Sequence, residues 1–205
     1  MNAVEAALAR LSAAQQAKVA NAFAAFEGGD LTVKEFTRVV VNIVQLGNAR
    51  GALLGRAVAR ALIEAETEAA ELTTMTRTAG VVRPEEERLA QAVGTILASD
   101  QDTLMQLQRL ADNEPKQAAA DGSAEVIRGS QRVHGWVRDL DSEACQLCKW
   151  WARDGRVWQP DHVMPRHTGC TCSPKPVVTT TDNYQTEGQA RRTADRQAQK
   201  ERKQA

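Results

Sequence analysis

The chain has 205 residues, of which 42% are hydrophobic and only 4% are aromatic, and its 26 lysines and arginines balance 26 aspartates and glutamates. This length allows one medium-sized domain or a main domain with a small satellite. The balanced charge excludes a polyanion binder that acts through the net charge of the whole chain. No run of about 18 apolar residues is present, so the sequence predicts no transmembrane helix and no membrane partner.

The N-terminal residues do not have the pattern of a secretory signal. The sequence Met-Asn-Ala-Val-Glu lacks a basic stretch followed by an apolar one. We therefore expect the cysteines to meet a reducing cytosol during folding, where metal ligation is favoured over a disulfide framework.

Residues 1–128 have the periodicity of amphipathic helices joined by short breaks. Thr32 and Glu35 have the spacing of a capping box, which predicts the start of a second helix, and Gly47 predicts its end. A further helix is expected from residue 49 to about residue 74. The first helix ends before Gly28 and has one apolar stripe, made of Leu8, Leu11, Val19, Phe23 and Phe26.

Two more helices are predicted beyond Gly80. Pro84 suits the first turn of one helix, where its missing N–H is not needed, and Ser99 with Asp100 predicts the start of the next. Residues 1–128 contain no histidine and no cysteine, so no catalytic triad can form within them. We therefore predict a mainly α fold, in which this helical region serves for assembly or interaction.

The composition changes after Gly129. All four cysteines and two of the three histidines fall between residues 145 and 172. Residues 132–137 and 155–158 are short β-prone runs, and Trp150, Trp151 and Trp158 are expected to form a small core over a metal. The sequence predicts a small α+β zinc-binding module at residues 129–178, followed by a polar tail at 179–205.

The candidate metal ligands are thiols and imidazoles, the soft groups that zinc prefers. Cys145 and Cys148 form a Cys-x-x-Cys pair, and His167 has the same two-residue gap to Cys170. The fourth ligand is Cys170 or Cys172, and four protein ligands favour a structural site over a catalytic one. We expect His162 to be a surface residue or an outer contact, and His134 not to be a ligand.

The tail at residues 179–205 is poor in hydrophobic residues and basic near its end. Such a run is either a solvated tail or a contact for nucleic-acid phosphates. Its basic residues are Arg191, Arg192, Arg196, Lys200, Arg202 and Lys203.

One enzyme pattern is similar to part of the module. A Cys-x-x-Cys pair followed by Asp161-His162 before Pro165 resembles HNH nucleases, in which the histidine activates a water. The similarity ends there, because no asparagine follows at the expected place and no second Cys-x-x-Cys with a trailing histidine is present. We therefore expect no catalytic residues and no enzyme activity.

Three features of this region belong together: residues 144–148, a spacer with Gly155, and the segment from His167 to Cys172 with Pro174. In combination they resemble the C-terminal signature of phage minor head proteins of the Mu F-like family. The segment shares the His-x-Gly-Cys-x-Cys form of the versions from actinobacterial tailed phages. The resemblance covers roughly residues 130–177. It implies that the residues Cys145, Cys148, His167, Cys170 and Cys172 are metal ligands that determine the fold.

The resemblance also implies a place and partners. Mu F-like proteins are low-copy head components that associate with the portal protein during procapsid assembly. We expect this chain to contact the portal protein and the major capsid protein in the host cytoplasm, and to lie inside the virion head afterwards. Packaged DNA is a further expected partner, through the basic tail.

Two other functions compete with head assembly. A nucleic-acid-binding zinc protein is the first, and its support is a set of basic residues on the module, namely Lys149, Arg153, Arg156 and Arg166. A capsid maturation protease is the second, because some Mu F-like relatives are so labelled. No serine–histidine pair in the sequence supports that activity.

Overall fold

The computed structural model describes residues 3–66 and 85–178, and these are mainly helical with a small two-stranded sheet. The predicted fold class is confirmed for this part of the chain, and the polar tail at 179–205 lies outside it. In chain order the elements are α1 (Ala3–Glu27), α2 (Val33–Glu66), α3 (Glu85–Leu97), α4 (Thr103–Gly129), β1 (Val133–Asp139), α5 (Gln146–Ala152) and β2 (Ser173–Val178).

Helix starts follow local capping signals. The backbone N–H of Glu35 donates to the Thr32 hydroxyl at 3.3 Å, and the N–H of Thr32 donates to the Glu35 carboxylate at 2.9 Å. This reciprocal pair is the predicted capping box, and it starts α2. Asp102 caps α4 by accepting from the N–H of Met105 at 2.9 Å, so α4 begins slightly later than Ser99 and Asp100 predict.

The predicted end of the second helix at Gly47 is wrong, because α2 continues unbroken to Glu66. The glycines of α2 are positions of close packing against α4. A Cβ atom on Gly51 would lie 2.2 Å from the carbonyl oxygen of Pro115, and one on Gly55 would lie 1.8 Å from that of Ala119. Each glycine lowers helix propensity by about 1 kcal/mol relative to alanine, and the close backbone contact offsets this.

The helices share a core at one end of the bundle. Val19 of α1, Phe36 and Val44 of α2, Leu89 of α3 and Leu107 of α4 are fully buried in one cluster. Among the helices of the described residues, none is long and apolar enough to cross a membrane.

A buried carboxylate joins three of these helices. Arg88 of α3 donates to both carboxylate oxygens of Glu114 in α4, at 2.8 and 2.5 Å, and Asn48 of α2 donates to the same group at 3.0 Å. Burial acts to raise the pKa of Glu114, but these hydrogen bonds outweigh it and the pKa lies below its ordinary value. The ionised carboxylate therefore holds α3 against α2 and α4.

The two strands form an antiparallel pair, and β2, which contains Pro174 and Pro176, is an edge strand. Trp136 of β1 exchanges backbone hydrogen bonds with Trp158 on its other side, at 2.9 and 2.8 Å, so its polar backbone groups point away from its β2 partner Pro176. The missing N–H of Pro176 therefore costs no ladder bond. The β-prone run at 132–137 is confirmed, and the run at 155–158 makes only this isolated bridge.

A second core lies where the strands meet the helices. It includes Ile127 from the last turns of α4, Trp136 from β1 and Met164, together with three cysteines, and Ile63 of α2 packs against it. The end of the helical bundle therefore forms one wall of the zinc-binding module predicted at 129–178, which we call the metal module.

The glycine contacts make a testable prediction about stability. Gly55→Ala should lower the free energy of unfolding by at least about 2 kcal/mol, because the added methyl group overlaps the backbone of α4. Gly94→Ala is the matched control, since Gly94 is exposed in α3 with nothing near its Cβ position, and it should raise stability by roughly 0.5–1 kcal/mol. Urea unfolding followed by circular dichroism at 222 nm measures both. Equal stability of the two variants would contradict close α2–α4 packing.

Candidate metal centre

Two turns present the candidate ligands. Cys145 is the N-cap residue of α5, and Cys148 lies in its first turn, so the Cys-x-x-Cys spacing directs both sulfurs to one side of the helix start. On the opposite side, the N–H of Cys170 donates to the carbonyl of His167 at 3.2 Å. Gly169 permits this turn because its φ of 78° lies in the left-handed region that side chains disfavour.

The predicted ligands come together in space. The Nε2 atom of His167 lies 3.2 Å from the sulfur of Cys145 and 3.2 Å from that of Cys148, and the sulfurs of Cys148 and Cys170 are 3.5 Å apart. The described residues contain two ligand groups whose atoms lie within 4.8 Å of one another, Cys145–Cys148–His167 and Cys148–Cys170–Cys172. Cys148 belongs to both. These five residues, which we call the cysteine–histidine cluster, are close enough to hold a metal ion.

The cysteines of the cluster are free thiols. Cys145 is exposed, whereas Cys148, Cys170 and Cys172 are buried. Short distances between unbridged sulfurs are typical of a metal site and not of a disulfide framework. The expected preference for metal ligation is consistent with this arrangement.

The tautomer of His167 is set by its neighbour. Its Nδ1 atom lies 2.9 Å from the carbonyl oxygen of Thr168. Because a carbonyl only accepts, Nδ1 carries the proton and Nε2 presents its lone pair to Cys145 and Cys148. The same hydrogen bond is the main reason that the pKa of His167 is raised.

The two candidates for the fourth ligand differ in their surroundings. Cys172 donates to the Asp141 carboxylate, with a sulfur–oxygen distance of 3.4 Å, and the hydroxyl of Thr171 donates to the same oxygen at 2.5 Å. The interaction of the two neighbouring thiols lowers the pKa of Cys170 to about 5. The same interaction and burial raise the pKa of Cys172. Because Cys172 donates a hydrogen bond to Asp141, Cys170 is the better candidate for a thiolate ligand.

The two cysteines of the Cys-x-x-Cys pair, Cys145 and Cys148, also differ in the pKa of their thiols. The backbone N–H of Cys148 is the main cause of the lowered pKa of Cys145, whereas burial raises the pKa of Cys148 to about 12. A coordinated cation displaces a thiol proton outright. Metal binding at Cys148 is therefore coupled to release of a proton.

The other histidines lie apart from the two ligand groups. His162 is exposed, and its ring stacks on Trp158 with centroids 4.3 Å apart, in agreement with an outer or surface position. His134 lies in β1 and belongs to neither ligand group.

The expected core of three tryptophans is only partly correct. Trp150 is 65% exposed, whereas Trp151 and Trp158 pack against the second core. The fully buried tryptophan is Trp136, which precedes the first cysteine. Alternation along β1 gives no signal for its inward direction, because Trp136 shares a face with the polar residues His134 and Arg138.

The basic tail residues predicted to contact nucleic acid lie outside the described residues. Of the basic residues on the module, Arg166 is committed to the helical region, because it donates to the carbonyl of Gln117 at 2.6 Å and to the Asp121 carboxylate at 2.6 Å. Arg166 therefore holds the loop that contains His167 and Cys170 against α4.

Comparison of the chain with protein-family models, with curated proteins and with solved structures finds no match. The chemistry of the cysteine–histidine cluster and the resemblance of its motif therefore carry the functional argument.

Single serine substitutions should separate the roles of the cysteines. Cys148→Ser should abolish metal binding, because Cys148 belongs to both ligand groups. Cys170→Ser should weaken binding by more than the roughly 10–100-fold that follows loss of an outer contact, and Cys172→Ser should retain one metal per chain. Metal content by mass spectrometry and competition with a chelator measure these outcomes in reduced protein. Loss of metal in Cys172→Ser with retention in Cys170→Ser would reverse the assignment of the fourth ligand.

Proposed function

We propose that this chain is a phage minor head protein of the Mu F-like type, in which a structural zinc ion stabilises the metal module and the helices contact other head proteins. The observation that supports this proposal most is the cysteine–histidine cluster. It joins the motif residues of the resemblance, 145–148 and 167–172, which are distant in sequence and adjacent in space. A ligand set of this type and order is what the resemblance implies.

Zinc is the metal that the ligand set favours. Three thiolates and one imidazole form a common tetrahedral zinc site, and four protein ligands leave no position for a reacting water. When bound, the ion would crosslink α5 to the segment before β2 and contribute its binding free energy to folding. The proposed role of the site is therefore structural, and we propose no enzyme activity.

An assembly role is supported by apolar side chains on the outer surface. Leu46 and Leu53 are 45% and 62% exposed, one heptad apart on α2, and Trp150 and Val163 are 65% and 76% exposed on the metal module. Exposed large apolar residues are typical of surfaces that contact partner proteins. We propose the portal protein and the major capsid protein as partners, with the chain inside the head.

Packaged DNA remains a proposed partner of the tail. The six basic residues between 191 and 203 would give an attraction to phosphates that is independent of sequence and weakened by salt. This contact stays a prediction from the sequence.

Nucleic-acid binding by the metal module is the second candidate function. Lys149, Arg153 and Arg156 are exposed, and the Arg156 guanidinium lies 4.1 Å from the ring centroid of Trp158. Arg166, the fourth basic residue in its support, contacts α4 instead. This leaves fewer free cations and favours the assembly function.

Removal of the metal tests the structural role. A strong zinc chelator should abolish the near-ultraviolet circular dichroism of the tryptophans in the metal module, because Trp136 and Trp158 are ordered around the cluster. Helicity at 222 nm should largely remain, because the first core contains no residue of the module. Readdition of zinc should restore the signal. Reduced protein that is purified without metal and keeps its tryptophan signal would overturn the structural zinc site.

Particle composition tests the assembly role. Heads purified from a lysate of the phage that encodes the chain should contain a few copies of it, far fewer than of the major capsid protein. A phage that carries Cys148→Ser should incorporate less of the chain, because the metal module would not fold. Quantitative mass spectrometry of heads and of the soluble fraction measures both. A chain found only in the soluble fraction would contradict a head protein.

A further inference from the structure

Arg138 of β1 is a buried cation beside the cysteine–histidine cluster. It is only 5% exposed, and no carboxylate of the described residues lies within ion-pair distance of it. A buried charge is costly unless other groups compensate it. The contacts of Arg138 therefore indicate which groups compensate its buried charge.

Its contacts converge on the ligands from three segments of the metal module. One guanidinium N–H points to the sulfur of Cys148 with a nitrogen–sulfur distance of 3.7 Å, and another donates to the carbonyl of Pro165. The guanidinium carbon lies 5.2 Å from the ring centroid of Trp151, and that ring in turn packs against His167 with centroids 6.2 Å apart. Arg138 thus contacts Cys148 directly and His167 through one aromatic ring.

The charge of the proposed site explains a cation at this place. Three thiolates around a divalent ion leave a net charge of −1, and Cys148 and Cys170 are buried where such a charge is poorly solvated. The guanidinium supplies one positive charge that does not depend on pH in the physiological range. A fixed cation beside the shared sulfur lowers the cost of forming the anionic centre.

We infer that Arg138 is a positioning residue of the metal centre, which neutralises the thiolate-rich site and orients Cys148 through an N–H···S hydrogen bond. This inference rests on the proposed zinc site and adds to it a residue outside the ligand motif. A lysine cannot replace the guanidinium fully, because one ammonium group does not have the planar fork that reaches the sulfur and the Pro165 carbonyl together.

The test uses the full-length protein with zinc and with cobalt(II) as a spectroscopic probe. Arg138→Met should lower zinc affinity by roughly 10–100-fold, as loss of an outer contact to a metal ligand does. It should also move the sulfur-to-cobalt charge-transfer band to lower energy, because the thiolate loses a hydrogen bond and becomes a better electron donor. Arg138→Lys should keep more of the affinity and show a smaller shift in the same direction.

Arg156→Met is the matched control. Arg156 also packs on a tryptophan of the metal module but is exposed and contacts no ligand, so both readouts should remain unchanged. If Arg138→Met does not fold, the band of Arg138→Lys decides, and a band identical to that of the wild type overturns the inference. Unchanged affinity and band in a folded Arg138→Met variant also overturn it. A wild-type chain that binds neither metal would instead refute the proposed zinc site.

Discussion

The close contact between the backbones of α2 and α4 is the constraint on which the rest of the structure depends. Gly51 and Gly55 of α2 approach the carbonyls of α4, and Gly122 of α4 approaches that of Ala52, where a Cβ atom would lie 2.3 Å from the oxygen. At this separation the helices cannot shift along each other without overlap of backbone atoms. α4 is therefore fixed relative to α2, and it in turn positions β1 and β2, which pack near its C-terminal end.

Two of the four proposed metal ligands are positioned by α4. His167 and Cys170 lie in a loop held at two points, where Arg166 contacts Gln117 and the N–H of Gly169 donates to the Asn113 side chain at 2.9 Å. The other two proposed ligands, Cys145 and Cys148, belong to the start of α5. The cluster is thus formed between a loop placed by the helical bundle and a short helix that makes few other contacts. A metal ion would add a direct bond between α5 and this loop.

Much of this arrangement could be predicted from the sequence, and the failures have physical causes. The capping box at Thr32 and the ligand spacing from Cys145 to Cys172 depend on neighbours in sequence, so local reasoning finds them. The sequence predicts a helix end at Gly47 because a glycine in isolation favours termination, whereas in the structure Gly47 packs against Pro115 of α4. The sequence does not predict β2, because two prolines disfavour a strand and only the edge position of β2 accommodates them. The role of Arg138 depends on a contact across three segments that no motif encodes.

Two charged side chains beside the cluster, Arg138 and Asp141, give its cysteines different electrostatic surroundings. Cys148 faces the guanidinium of Arg138, which would stabilise a metal-bound thiolate, whereas Cys172 donates to the carboxylate of Asp141, which favours a thiol. These two charges of opposite sign, each beside a different cysteine, therefore favour Cys145, Cys148, His167 and Cys170 as the proposed ligands over Cys172. The sequence motif alone treats Cys170 and Cys172 as alternatives. The two fixed charges outside the motif, one from β1 and one from the turn that follows it, distinguish them.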